Sequence, residues 1–132
     1  MQKGMRLILA GLVAATILAV TPAAFAGTAK HGNGVQKQGR CSANSTWKLK
    51  AKPDNGRLEV EFEVDQNVSG DRWRVRIRHD GDLAFRGTRM THGASGSFTV
   101  RIVEDDTAGS DVFRARARNL STDEVCAGSA TF

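Results

Sequence analysis

Cysteine and histidine are scarce in this 132-residue sequence, two of the first and three of the second, and tyrosine is missing altogether. Zinc normally needs four ligands, and His31, His79 and His92 have no cysteine or histidine at ligand spacing, so no zinc motif is present. Nothing reads as a nucleophile elbow, an EF-hand loop or a CxxC redox pair. After residue 26 no apolar run is long enough to cross a membrane as a helix. The expectation is therefore a protein without a cofactor and without enzymatic activity. A small hydrolase of extracellular polymer is the unfavoured alternative, because short loops leave little room for a cleft with a carboxylate pair or a metal.

What is present begins with an export pattern. Lys3 and Arg6 precede an uncharged run from Leu7 to Val20, and Pro22 leads to Ala24-Phe25-Ala26, a small-x-small site before Gly27. Residues 1–26 are read as a cleaved signal peptide, which predicts a secreted protein, extracellular or associated with the cell envelope, with no membrane insertion after cleavage. In an oxidising compartment Cys41 and Cys126 are expected to form a disulfide. Closing so long a loop is worth roughly 4 to 5 kcal/mol in the chain-entropy model. The formal charge is +5, and removing Lys3 and Arg6 leaves seventeen cations against fourteen carboxylates, a net +3.

Residues 27–39 hold four glycines and one isolated valine, and are read as a flexible leader to a single domain at 40–132. From Arg40 onward the chain alternates with period two over seven segments. Trp47, Leu49 and Ala51 alternate with Lys48, Lys50 and Lys52; Leu58, Val60, Phe62 and Val64 alternate with Glu59, Glu61 and Glu63. Trp73, Val75 and Ile77 alternate with Arg72, Arg74, Arg76 and Arg78. A short fourth segment places Leu83 and Phe85 inward, a fifth Phe98, Val100 and Ile102. The sixth sets Phe113, Ala115 and Ala117 against Arg114, Arg116 and Arg118, and the seventh runs from about Glu124 to Phe132 with its inward register open. The fold class is all-β: an immunoglobulin-like or fibronectin-like two-sheet sandwich of about seven antiparallel strands. Strands one, two and five form one sheet, and three, six and seven the other, with four at an edge. A small closed barrel is the alternative.

If strands three and six are neighbours, seven arginines share one wet face: Arg72, Arg74, Arg76, Arg78, Arg114, Arg116 and Arg118. They are the candidate anion-binding residues. The lysines and glutamates of the first hairpin, in contrast, can pair with one another. Three readings of the arginine face stay open: decoration of a wet sheet, a surface for an anionic polymer or acidic protein, and self-association through an acidic patch on another copy. The loop bearing Glu104, Asp105, Asp106 and Asp111 is read as solvated rather than calcium-binding. His79 and His92, with Asp80, Asp82, Ser95 and Ser97 nearby, do not suggest a triad. Trp47 and Trp73 are expected in the core, and Asn44, Asn67 and Asn119 head glycosylation triplets of little weight.

The stretches CSANSTWKLKAKPDNGRLEVEFEVD and FRARARNLSTDEVCAG resemble those of small exported actinobacterial proteins with one disulfide and an immunoglobulin-like pattern, a group with no assigned activity. That resemblance implies a host and a compartment and brings no catalytic residues. The absence of tyrosine, hence of a tyrosine corner, separates the chain from antibody-type domains.

Overall fold

A computed structural model describes residues 32–132; the expected signal peptide at 1–26 and the first part of the expected leader lie outside the described residues. Eight strands follow in order: β1 (Val35–Arg40), β2 (Thr46–Asp54), β3 (Arg57–Asp65), β4 (Arg72–His79), β5 (Asp82–Met90), β6 (Ser97–Asp105), β7 (Val112–Asn119) and β8 (Val125–Thr131). The cleanest alternation gives the cleanest strand. On β3, Leu58, Val60, Phe62 and Val64 are fully buried while the intervening glutamates stay partly exposed. Asn55-Gly56 and Asp80-Gly81 both take left-handed backbone, and such two-residue turns match the twist of the hairpins β2–β3 and β4–β5 that they close.

The strands form two four-stranded antiparallel sheets, ordered β1-β2-β3-β6 and β5-β4-β7-β8. The partition expected from alternation holds strand for strand, and β5 lies at an edge. The two sheets share no ladder, so the chain is an open sandwich and the closed barrel is excluded. Their inner faces meet in one core in which Trp73, Phe62, Phe113, Leu49, Leu58 and Ile77 are the largest fully buried side chains. Burying such side chains is worth roughly 1.5 to 3 kcal/mol apiece relative to exposure.

Three expectations need correction. The described residues hold eight strands, because residues 35–39, assigned to the flexible leader, belong to β1, which pairs with β2 along the whole length of β1. An edge strand needs backbone partners on one side and little apolar content, so alternation gave no sign of it. The fourth expected strand is not short: β5 has nine residues. Its inward register also differs, because the ladder slips between Ile77 and Arg78, leaving Ala84 as the extra residue and turning Leu83 outward, 45% exposed. The inward register of β8, left open by its small residues, is Cys126, Gly128 and Ala130.

Cys41, in the β1–β2 connection, is bonded to Cys126 on β8 and ties the two sheets together at one side of the sandwich. Glu124, buried beside this bridge, reinforces it: its carboxylate accepts from the backbone N–H groups of Ala43 (3.1 Å) and Ser45 (2.8 Å) and from the Ser45 hydroxyl (2.8 Å). Both tryptophans pack against the core as expected. Trp73 is fully buried and donates its indole N–H to Gln66 at 2.9 Å, while Trp47 is partly buried beside Gly39 and Gly128.

Candidate anion-binding face

Antiparallel pairing of β4 with β7 sets arginine directly opposite arginine three times: Arg74 with Arg118, Arg76 with Arg116 and Arg78 with Arg114. Arg72 extends the β4 row. On the other side of β4, Arg86 of β5 stands opposite Arg76, so one transverse row runs Arg86, Arg76, Arg116 across three strands. All seven arginines expected to share a face therefore do so, and Arg86 is an eighth. It was missed because β5 carries one outward arginine rather than an alternating series, and only its register against β4 places it in the cluster.

Like charges directly opposed on a sheet repel. Two of the eight find partners at the periphery: Arg118 bonds Asp123 in the turn after β7, and Arg78 donates to the Gly81 carbonyl at 2.8 Å. Among the described residues, Arg72, Arg74, Arg76, Arg78, Arg86, Arg114 and Arg116 have no carboxylate within ion-pair distance. Two shallow depressions flank the middle rung. One, of about 420 Å³, is lined by Arg74, Arg76, Arg86, Arg116 and Arg118; the other, of about 470 Å³, by Arg76, Arg78, Arg114 and Arg116 with Ala127, Gly128 and Ser129 of β8. The small side chains of β8 leave the second open on its outer flank.

The opposite sheet carries cations of another type in another arrangement. Lys48, Lys50 and Lys52 face Glu63, Glu61 and Glu59 across β2 and β3. Lys52 approaches Glu59 at 2.8 Å, Lys48 approaches Glu63 at 3.5 Å, and Arg101 of β6 takes Glu61 at 2.6 Å. The Lys52–Glu59 hydrogen bond raises the lysine pKa and lowers that of the glutamate, each holding the other charged. Lys48, Lys52 and Arg101 thus have carboxylate partners on one sheet, whereas among the eight arginines of the other only Arg118 does.

A second polar cluster lies where β4 ends. His79, nearly buried and stacked on Phe113, approaches Asp111 with Nε2 at 2.6 Å and Glu104 with Nδ1 at 3.3 Å; Asp80 lies 3.5 Å from Nε2. Burial disfavours the imidazolium, but the hydrogen bonds to Asp111 and Glu104 and the nearby carboxylate charges outweigh it, and the His79 pKa is raised. Asp111 is fully buried and also accepts from the Thr107 backbone N–H and hydroxyl. The carboxylates of the 104–111 loop are therefore not equivalent: Glu104 and Asp111 turn to His79, whereas Asp105 pairs with Arg57 at 3.1 Å. His79, Asp80 and Asp111 bring ligand atoms within 4.8 Å of one another. No serine joins them, since Ser95 and Ser97 bond each other at the far end of β6, beside His92. Only Asp80 adjoins His79 in sequence; Glu104 and Asp111 come from a distant segment, so nothing local pointed to their meeting. No family model, curated protein or solved structure matches the chain.

Proposed function

We propose that this domain is a non-enzymatic binding module that engages an anionic polymer through the arginine face of the β5-β4-β7-β8 sheet. The observation that carries the reading is the triple opposition of arginines on β4 and β7, with seven of the eight guanidinium groups on the face left without a carboxylate among the described residues. Such a face is costly in isolation and is relieved when anions are drawn in. Arginine also offers two parallel donors to an oxyanion, adding geometry to attraction. The same reading places the protein outside the cytoplasm, in keeping with the apolar N-terminal run and the disulfide. An acidic protein surface is the second partner class the face would suit, and self-association is the competing structural role.

The test is the salt dependence of binding to heparin, used as a model polyanion. Affinity is expected to fall steeply between about 50 and 200 mM salt, as release of counterions from many contacts requires. Serine at Arg74, Arg76, Arg114 and Arg116 should abolish binding with the fold intact, while serine at Lys48, Lys50 and Lys52 should cost little. Equal losses from the two sets, or no binding at low salt, would remove the arginine face as a site.

A further inference from the structure

The geometry points to a phosphodiester backbone, read without its bases, as the polymer this face accepts, seated in two adjoining oxyanion sites that share the Arg76–Arg116 rung. The inference rests on the anion-binding reading above and narrows it to one ligand class.

Three features of the face select the ligand. First, every cation on it is arginine, while the lysines of the β-sheets' hairpin face stand on the other sheet. A guanidinium fork recognises phosphate by two parallel hydrogen bonds, whereas an ammonium acts as a point charge. Second, the outward positions that pair with the arginines are Thr88, Met90 and Leu83 on β5 and Val125, Ala127 and Ser129 on β8, with no aromatic ring among them. Single-stranded nucleic acid is ordinarily held by bases stacked on aromatic platforms, and this face offers none. Recognition therefore falls on the backbone.

The third feature is spacing. The 420 Å³ depression opens between the rungs Arg74–Arg118 and Arg76–Arg116, with Arg86 closing its β5 side; the 470 Å³ depression opens between Arg76–Arg116 and Arg78–Arg114. The two are offset by one rung along the strands, about 7 Å, and by about one interstrand step, about 5 Å, toward β8. Phosphates separated by one sugar or polyol unit can occupy both at once. Carboxylates separated by a whole disaccharide pass over the shared rung and engage one site at a time. Arg86 completes the first site and Arg114 the second, and neither is tied to a carboxylate.

The test compares short oligomers of equal charge number: abasic deoxyribose phosphate, thymidine phosphate and hyaluronan, each titrated against the purified protein at low salt. Abasic and thymidine oligomers should bind equally, and each about tenfold more tightly than hyaluronan. Arg86→Ser and Arg114→Ser should each weaken the phosphate oligomers several-fold. The variant carrying Arg76→Lys and Arg116→Lys keeps the charge, so it should lose most of the phosphate preference while its hyaluronan affinity stays as it was. Equal affinity for phosphate and carboxylate oligomers would overturn the inference while leaving a charge-only anion face standing. Tighter binding of thymidine than of abasic oligomer would overturn it in favour of base contacts. Failure of all three oligomers to bind would remove the underlying reading as well.

Discussion

A buried side chain whose pKa is shifted by folding makes stability depend on pH, and His79 is such a residue. Its folded pKa is raised because Asp111 and Glu104 accept from its ring, with Asp80 close by and Asp82 on the rim of the same pocket. A raised pKa means that the folded state holds the proton more tightly than the unfolded chain. The resulting stabilisation is complete below the unfolded value of about 6.5 and fades as pH climbs through the folded pKa. The melting temperature of the protein is therefore expected to decline relative to that of His79→Gln, which cannot titrate there, as pH rises above about 6.5 and through the raised folded pKa. Parallel pH profiles of the two proteins would show that His79 does not hold its proton in the fold. Asn119 teaches the same lesson about neighbours. It heads a glycosylation triplet, yet it is fully buried, its amide donating to Asp71 at 2.9 Å and its carbonyl oxygen accepting from Ser121 and Thr122. Its local sequence could not reveal that.

At the scale of elements, Trp47 couples three strands. It extends from β2 over Gly39 of β1, where an added Cβ would lie 2.9 Å from its ring, and against Gly128 of β8, where an added Cβ would collide with it. Glycine at 128 is thus demanded by a ring from the opposing sheet, and β8 looks featureless in sequence for the same reason. Gly128→Ala should force Trp47 to move and destabilise the domain by about 1 to 3 kcal/mol, the usual range for overpacking. Urea denaturation followed by tryptophan fluorescence measures this. A midpoint equal to that of the unmodified protein would mean that the ring has room to yield. The slip in the β4–β5 ladder is an element-scale event too, since one extra residue reversed the expected direction of Leu83.

For the whole molecule, the disulfide and the charge distribution are the dominant features. The bridge joins the β1–β2 connection to β8, and Ser42 adds hydrogen bonds to Val125 on either side, its N–H donating to the Val125 carbonyl at 2.8 Å and its hydroxyl accepting from the Val125 N–H at 2.9 Å. Replacing both cysteines by serine should lower stability by about 2 to 5 kcal/mol, mainly by freeing the unfolded chain. Calorimetry of the double variant decides this, and an unchanged melting temperature would show that Glu124 and the Ser42 contacts hold the sheets together unaided. The modest net charge conceals a polarised sandwich, with carboxylate partners for Lys48, Lys52 and Arg101 on one face and for Arg118 alone among the eight arginines of the other.

Alternation determined the all-β class and the inward residues of β3, β4 and β7, and an immunoglobulin-like strand order then assigned the sheets correctly, while only the pairing in the structure excluded a closed barrel. A period of two in a half-buried strand leaves no other way to bury those side chains. The seven arginines were legible for the same reason. Tertiary structure decided what depends on register and on pairing across long separations: Arg86 opposite Arg76, Leu83 turned outward by a bulge, β1 recruited from a glycine-rich stretch and His79 joined to Asp111 and Glu104. None of these leaves a periodic trace, because each is fixed by which segment lies beside which once the two sheets have closed over their core.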